Sequence, residues 1–255
     1  MLHLADDADK IYLTEHSPDG ISFYHPQKAI HHMKAFNEGL FQIQDEAAQL
    51  ISLLLSPRSG EIVLDSCAGL GGKTGHIAQL MNNNGQLVAL DKDPQKISRL
   101  NDEMKRLGVS IVSPKIFDLE KPFPQEENMR FDRILLDAPC SGLGVIRRNP
   151  DIKWDASRQN LNKYYLKQLK LLNHVSYMVK PYGILVYAVC SLEPEENEMV
   201  VNQFLKEHSN FKIHKDYSQM PFNTDTFFDH NGFFRSLPHI HHMDGFFAAC
   251  LQRME

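Results

Sequence analysis

Residues 61–74 read EIVLDSCAGLGGKT, and this stretch decides the fold class of the 255-residue chain. A short run of branched apolar residues ends at Asp65, and a glycine-rich loop then leads into a helical pattern that starts at Thr74. A buried strand, a loop and a helix in this order form the first unit of an open α/β sheet. Glycines let the backbone approach a ligand closely, and the helix start offers unpaired N–H groups. The stretch therefore predicts a ligand-binding loop at the edge of a sheet.

The alternation of strands and helices continues along the chain. Further strands are predicted at residues 86–91, 110–117, 131–137, 184–190 and, antiparallel at the end, 244–251. Helices are predicted at residues 43–55, 74–81, 95–107, 157–179 and 195–207. This alternation is typical of βαβ units, which build parallel sheets. We therefore expect an α/β, Rossmann-like fold: a doubly wound, mostly parallel sheet with an antiparallel C-terminal strand.

Composition limits the class of protein. The chain has 42% hydrophobic residues and a net charge of −5, which argues against a protein that coats nucleic acid through bulk positive charge but leaves room for a local basic patch. We expect a cytoplasmic protein, because no apolar stretch suits a membrane span and the acidic start does not suit a signal peptide. Residues 1–42, rich in His, Asp and Pro, are predicted to be an irregular or partly structured lead-in to a domain at 43–255.

The choice of ligand depends on what the loop lacks. A Walker loop requires glycine at position 67, which is Cys67, and the dinucleotide fingerprint lacks its third glycine. However, Asp91 follows the second predicted strand, where an acid can accept hydrogen bonds from ribose hydroxyls. The pattern indicates an adenosine-containing cofactor. The alternative is a plain glycine turn beside a solvated aspartate.

Acids and thiols follow other predicted strands. Asp118 and Asp137 stand at strand ends that face the ligand crevice of a doubly wound sheet, although either can instead cap a helix. Cys140 and Cys190 end two separate apolar runs. Two thiols at one crevice edge indicate nucleophilic chemistry, whereas a lone buried cysteine such as Cys250 is usually a small hydrophobe.

The remaining polar clusters are interpreted more simply. The histidines at 31–32 and 239–242 do not fit the spacing of common zinc sites, so we expect no metal. Two basic clusters are interpreted as solvated helix faces: Lys92, Lys96 and Arg99, and then Lys163, Lys167 and Lys170. The four cysteines contain no CxxC pair and are expected to be reduced.

Five motifs in order resemble a known family. They are DSCAGLGGKT at 65–74, DAPCSGLG at 137–144, RNPDIKW at 148–154, YAVCSLEPEENE at 187–198 and DGFF at 244–247. Over residues 36–252 the chain resembles the RsmB/Sun (Fmu) family of RNA cytosine-5 methyltransferases, and it looks closest to the bacterial 16S ribosomal RNA branch. The resemblance implies a methyltransferase fold that uses S-adenosylmethionine to methylate carbon 5 of a cytosine in RNA through a cysteine adduct at carbon 6.

The resemblance also implies roles for particular residues. Cys190 is the nucleophile, Cys140 assists product release, Asp137 faces ring nitrogen 3, and Lys73 orients Asp137. The cofactor is held by Cys67, Ala68, Gly69, Leu70, Gly71, Gly72, Lys73, Asp91, Asp118 and Asp137. Arg147 and Arg148, which follow the Cys140 loop, have the best placement for an RNA phosphate.

The chain departs from the family in two ways. Gly69-Leu70 replaces the usual Ala-Pro, which predicts a less rigid cofactor loop. Only about 40 residues precede the first helix, so we expect RNA capture through this short RNA-binding element or remnant, a partner protein or a structured RNA. The sequence is equally compatible with a longer protein in which further residues stand upstream of this chain. We expect a monomer.

Three alternatives stay open at this point. The chain can be a transfer RNA methyltransferase, or a non-catalytic RNA-binding assembly factor of the same fold. The third is a DNA cytosine-5 methyltransferase, in which the cysteine of the Pro-Cys motif attacks. The second cysteine motif, around Cys190, favours RNA over DNA.

Overall fold

The computed structural model describes residues 8–121, 129–154 and 157–255. Strands β1 (Ala8–Leu13) and β2 (Ile21–Pro26) pair with each other in an antiparallel hairpin. The main sheet is built from β3 (Ile62–Asp65), β4 (Gln86–Asp91), β5 (Val112–Ile116), β6 (Phe131–Asp137), β7 (Val179–Val189), β8 (Phe211–Ile213), β9 (Phe233–Ser236) and β10 (Phe246–Arg253). The helices are α1 (Lys34–Asn37), α2 (Glu46–Leu55), α3 (Gly72–Leu80), α4 (Pro94–Arg106), α5 (Arg158–Ser176), α6 (Glu198–Glu207) and α7 (Pro238–His241).

The main sheet has the predicted doubly wound arrangement. Its strands follow the order β5, β4, β3, β6, β7, β10, β8, and β9 also pairs with β10. Strands β3 to β7 run parallel, and β10 is antiparallel to β7 and to β8. The strand order reverses between β3 and β6, which is the point where ligands bind in open α/β sheets. The α/β fold class and the antiparallel last strand are therefore confirmed.

The strands are apolar because both faces of the sheet are covered. Residues 185–189 of β7 are all fully buried, and they alternate between two core clusters. One cluster contains residues of α5 and α6, and the other contains residues of α2 and α3. Burial on both faces explains the continuous apolar runs in the sequence, since a sheet with one solvated face alternates polar and apolar residues.

Local capping signals set several helix starts. The side chain of Asp45 accepts from Ala47 N at 3.0 Å before α2, and Asp93 accepts from Gln95 N at 2.8 Å before α4. Such caps satisfy donors that the first helical turn leaves unpaired. Helix α6 starts three residues later than predicted, because Pro194 to Asn197 form a turn in which Asn197 N donates to Pro194 O.

Two regions differ from expectation. Strand β7 begins at Val179 rather than at residue 184, because its first residues pair with the start of β6 across a register irregularity. The N-terminal segment also contains the β1–β2 hairpin, whose apolar side chains pack with Met33 and Ala35. Residues 1–7 of the predicted lead-in lie outside the described residues. Within the described residues, none of the helices combines the length and the apolar character that a membrane span requires.

Candidate active site

A cleft of about 470 Å³ lies at the carboxyl ends of the parallel strands. Its walls include the following predicted site residues: Cys67, Gly69, Asp91, Asp118, Asp137, Cys140 and Cys190. These residues stand at the last positions of β4 and β6 or in the loops after β3, β5, β6 and β7, which meet at one edge because the strands are parallel. A volume of this size suits a small-molecule ligand.

The loop after β3 is held by backbone hydrogen bonds. Ala68 N donates to Leu90 O at 2.8 Å, and Gly71 N donates to Ala68 O at 2.9 Å. Gly71 has a φ of +91°, and a Cβ there would lie 2.8 Å from Cγ of Leu100. A side chain is therefore excluded at this position by both the backbone conformation and the packing of α4.

The acids at the strand ends face the same cleft. Asp91 Oδ2 accepts from Gly69 N at 3.1 Å, and its Oδ1 accepts from Asp93 N at 2.9 Å. Asp118 Oδ1 accepts from Glu120 N at 3.1 Å in a turn, and no helix starts in the residues described immediately after it. Both side chains therefore remain at the cleft wall rather than capping a helix.

The residues present fit an adenosine-containing cofactor. A Cβ built at Gly69 or Gly72 would meet nothing within 4 Å, so open space lies directly against the loop backbone. Carboxylates at the ends of β4 and after β5 provide acceptors for ribose hydroxyls and for an adenine amino group. The cleft thus combines close backbone approach with acceptors in the expected positions.

Not every residue of the predicted cofactor set lines this cleft. Ala68 packs in the core, and Gly71 is buried against α4. Leu70 is 54% exposed and, with Gly72, lines a neighbouring groove beside Ile43. For these residues a direct cofactor contact stays a prediction.

Asp65 lies beneath the loop and is fully buried. Its Oδ2 accepts from Thr74 Oγ1 at 2.7 Å, which ties the end of β3 to α3. Burial raises the pKa of Asp65 to about 7, although the hydrogen bond from Thr74 partly opposes this shift. Burial also raises the pKa of the neighbouring Cys67 thiol well above its usual value, so this cysteine remains a neutral thiol.

The two cysteines at the strand ends form a close pair. Sγ of Cys140 and Sγ of Cys190 are 3.3 Å apart, although the residues are 50 positions apart in the chain. Nearby, Lys73 Nζ bonds to Asp137 Oδ2 at 2.8 Å, as the sequence predicts for an orienting lysine. One edge of the cleft therefore combines two thiols with the carboxylate of Asp137, and Lys73, which does not itself line the cleft, holds this carboxylate.

The pKa values of the two thiols are shifted in opposite directions. The hydrogen bond from Cys140 lowers the pKa of Cys190 below its usual value, and the charge of Lys73 acts in the same direction against burial and Asp137. The same hydrogen bond and burial raise the pKa of Cys140. Burial disfavours the Lys73 ammonium, but the charge of Asp137 and their hydrogen bond outweigh it and raise the pKa of Lys73. Cys190 is thus the better thiolate, with Cys140 as its hydrogen-bond donor.

Sequence reasoning missed several polar residues of the cleft. Lys167 of α5 lines it and donates to Glu120 Oε1 at 2.9 Å, and Lys92 and Lys96 also line it. The interpretation as a solvated helix face is wrong for Lys167, which is only partly exposed and is paired with Glu120, whereas Lys92 and Lys96 are exposed as expected. Their spacing on a helix could not reveal which turn faces the sheet edge, because that depends on how the helix packs.

Arg147 and Arg148 are held by carboxylates. Arg147 Nε donates to Asp244 Oδ1 at 2.7 Å, and its side chain also bonds to Asp45. Arg148 bonds to both oxygens of Asp244, which is fully buried. These bonds tie the Cys140 loop to the turn before β10. A contact of either arginine with RNA phosphate stays a prediction.

The chain resembles proteins of known name. Residues 52–252 match the family model described as "16S rRNA methyltransferase RsmB/F". Over 218 residues the chain is 38% identical to "Probable ribosomal RNA small subunit methyltransferase B" of Bacillus subtilis, an alignment that covers 86% of this chain and 49% of the relative. The chain spans about half the length of the curated relatives it matches.

Two solved structures share the whole architecture. The crystal structure of PH0851 superposes with a TM-score of 0.90 at 36% identity, covering 98% of this chain and 55% of that one. NSun6 from Pyrococcus horikoshii with SFG gives a TM-score of 0.78 at 28% identity, covering 92% of this chain and 59% of that one. SFG is an analogue of S-adenosylmethionine.

Proposed function

The chain belongs to the RsmB/F family of 16S rRNA methyltransferases, and we propose that it methylates carbon 5 of a cytosine in RNA, with small-subunit ribosomal RNA as the substrate. The single observation that carries the proposal is the pair of thiols, 3.3 Å apart, at the edge of the cleft. The names of the relatives favour ribosomal RNA over transfer RNA.

S-adenosylmethionine is the cofactor. We assign its binding to the loop after β3 and to Asp91 and Asp118, since these groups line the open part of the cleft. When bound, S-adenosylmethionine supplies an electrophilic methyl group to the ring carbon. The protein must therefore make carbon 5 of cytosine nucleophilic, because this carbon is otherwise a poor nucleophile.

Cys190 performs the first step. Its thiolate sulfur forms a bond to carbon 6, and the electron pair of the double bond between carbons 5 and 6 moves towards carbon 5. Asp137, held by Lys73 through one oxygen, acts in its acid form: its O–H donates to ring nitrogen 3, and transfer of this proton neutralises the negative charge that develops in the ring. The target base must leave its stack to enter the cleft.

Cys140 acts in the second step. Methylated carbon 5 still carries its hydrogen, and this proton must leave before the double bond can re-form and expel the Cys190 sulfur. Cys140, once it has released its own proton to solvent, or a water molecule that it holds, takes the proton. Its position 3.3 Å from the Cys190 sulfur brings a proton acceptor beside the adduct.

The test follows the adduct and the methyl group in the two cysteine variants. The chain is incubated with 16S ribosomal RNA and S-adenosylmethionine carrying a labelled methyl group. We expect Cys190→Ala to lose methylation by at least about 10³-fold and to form no adduct, because the nucleophile is gone. We expect Cys140→Ala to accumulate a covalent protein–RNA complex on denaturing gels, because release is blocked.

Cys250→Ala is the matched control, since Cys250 is buried in β10 and its sulfur bonds only weakly to Leu54 O at 3.8 Å. This variant should keep methylation. Bisulfite sequencing of the RNA then locates the modified cytosine. An adduct that forms with Cys190→Ala and requires Cys140 would overturn the assignment and favour the chemistry of DNA methyltransferases.

A further inference from the structure

A buried glutamate connects the two cysteine loops. Glu196 is fully buried. Its Oε1 accepts from Ser141 N at 2.8 Å and from Gln168 Nε2 at 2.9 Å. Its Oε2 accepts from Ser141 Oγ at 2.5 Å and from Ser191 Oγ at 2.6 Å. The donors Ser141 and Ser191 directly follow Cys140 and Cys190 in the chain.

The carboxylate is surrounded by neutral donors. Four hydrogen bonds reach its two oxygens, which compensates for the loss of water around a buried charge. The backbone of Glu196 is fixed as well, because Tyr187 OH donates to its carbonyl oxygen at 2.6 Å. Because its backbone and its carboxylate are both fixed, Glu196 determines the positions of the serine and glutamine side chains that bond to it.

Gln168 extends this connection to the start of the Cys140 loop. Its Nε2 also donates to Pro139 O at 3.1 Å, so the residues on both sides of Cys140 are restrained. Backbone contacts act in parallel, since Gly144 N donates to Cys190 O at 2.9 Å. A Cβ at Gly144 would lie 2.0 Å from Gly245 O and 3.0 Å from Cys190 O, so glycine is required for this approach.

We propose that Glu196 is a positioning residue that holds the Cys140 and Cys190 loops at the distance at which one thiol donates to the other. The proposal rests on the proposed function, because that function makes the pair reactive. Glu196 does not touch the pair directly. It acts through Ser141 and Ser191, whose hydroxyls share one oxygen of Glu196 and lie 3.2 Å from each other.

The length of the side chain is therefore essential, and its charge is less so. Aspartate is one methylene shorter and cannot reach both loops. Glutamine keeps the length: its oxygen can accept from Ser141 N and Gln168, and its amide can donate to the two hydroxyls. If Glu196 acted through its charge, Glu196→Gln would change the pKa of the thiols and Glu196→Asp would not.

The test measures alkylation of Cys190 by iodoacetamide as a function of pH, using mass spectrometry of the cysteine peptides of the full chain. In Glu196→Asp we expect the Cys190 sulfur to lose the hydrogen bond from Cys140. The midpoint of the pH profile should then rise by about one pH unit, so that alkylation at neutral pH slows about tenfold. In Glu196→Gln the profile should stay within about twofold of the original at every pH.

Glu61→Asp is the matched control. Glu61 Oε2 accepts from Arg58 N at 2.8 Å and from Arg133 Nε at 2.6 Å, at the opposite end of β3 from the cleft. This variant makes the same one-methylene change and should lower stability without moving the profile. An unmoved profile in Glu196→Asp, or an equal shift in Glu61→Asp, would overturn the proposal.

Two features keep the test decisive. If Glu196→Asp does not fold, Ser141→Ala removes only the hydroxyl donor and should give a smaller shift, about threefold slower alkylation, in the same direction. No shift in Ser141→Ala would then refute the proposal. Alkylation needs neither RNA nor cofactor. If the shift is observed but the chain does not methylate RNA, the proposed function is refuted and the positioning role of Glu196 stands.

Discussion

The glycine-rich loop after β3 and the thiol pair lie in one cleft but are constructed differently. The loop at residues 66–73 is fixed by backbone bonds within itself and to the adjacent strand β4, as in the bond from Ala68 N to Leu90 O. The thiol pair is fixed by side chains from segments 50 and 55 positions apart, which join Cys140 to Cys190 and Ser141 to Glu196.

This difference means that the cleft has two halves, the loop at residues 66–73 and the thiol pair, and that a substitution can disrupt one without disrupting the other. The loop needs glycines and one strand-end acid, so its geometry follows from a short stretch of sequence. The thiol pair needs β6, β7 and α5 to be correctly packed before any of its bonds can form. Substitutions in one half should therefore leave the properties of the other half largely unchanged.

Among the substitutions that test this separation, the largest effect is expected from Lys73→Met, which changes a residue at the boundary between the loop and the thiol pair. Lys73 follows the loop in sequence, but its Nζ reaches Asp137. Removing it leaves that carboxylate without its ammonium partner, so we expect methylation of 16S ribosomal RNA to fall about 10²-fold. Cofactor affinity, measured by titration calorimetry, should change less than about threefold, since Lys73 does not line the cleft.

Lys105→Met, at an exposed lysine of α4, is the control and should change neither quantity. If Lys73→Met reduced cofactor affinity by as large a factor as it reduced methylation, Lys73 would act with the loop rather than with the thiol pair. The separation of the two halves would then be incorrect.

An intermediate effect is expected from Asp91→Asn. Both oxygens of Asp91 accept backbone N–H groups, one of them from Gly69, and an amide has only one oxygen to accept with. We expect S-adenosylmethionine affinity to fall about tenfold in calorimetry, which corresponds to about 1.4 kcal/mol. The pH profile of Cys190 alkylation should not change.

The control is Asp132→Asn, because Asp132 accepts from Ile62 N at 2.8 Å at the opposite end of the sheet. It should leave cofactor affinity unchanged. A shift of the Cys190 profile in Asp91→Asn would mean that the loop and the thiols are coupled.

Asp65→Asn tests the support of the loop, and we expect the smallest effect on methylation and cofactor binding from it, because the change is in stability. Burial raises the pKa of Asp65 from 3.8 to about 7, so ionisation costs the folded state free energy. The free energy of unfolding should therefore decrease as pH rises from 4 to 7 and level off above 7. The neutral variant avoids this loss and can still accept from Thr74.

Thermal unfolding at several pH values checks this expectation. As the pH rises from mildly acidic to mildly alkaline, the free energy of unfolding of Asp65→Asn should increase by about 2 kcal/mol relative to that of the unsubstituted chain. This corresponds to about 5 °C in Tm. Asp102→Asn, at an exposed position of α4, should show no such trend. A constant difference between Asp65→Asn and the unsubstituted chain at all pH values would contradict the raised pKa.

Much of the cleft was predictable because it depends on local patterns. The ends of β4 and β6 match the prediction exactly, and Asp91 and Asp137 line the cleft as expected from their place at these ends. Helix boundaries were less predictable where a turn intervenes, as at Pro194 before α6. The β1–β2 hairpin was not foreseen, because the segment has weak periodicity and its apolar residues pack with Met33 and Ala35.

The amino-acid sequence by itself determined the α/β class, the loop at 66–73 and the delivery of two thiols to one sheet edge. Burial on both faces produces apolar runs, and loops after parallel strands share one edge. Only the tertiary structure decided that the sulfurs of Cys140 and Cys190 lie 3.3 Å apart, that Glu196 joins their loops, and that Asp244 holds Arg147. These partners lie about 50 to 100 positions apart, so no local pattern can specify them before the strands and helices pack.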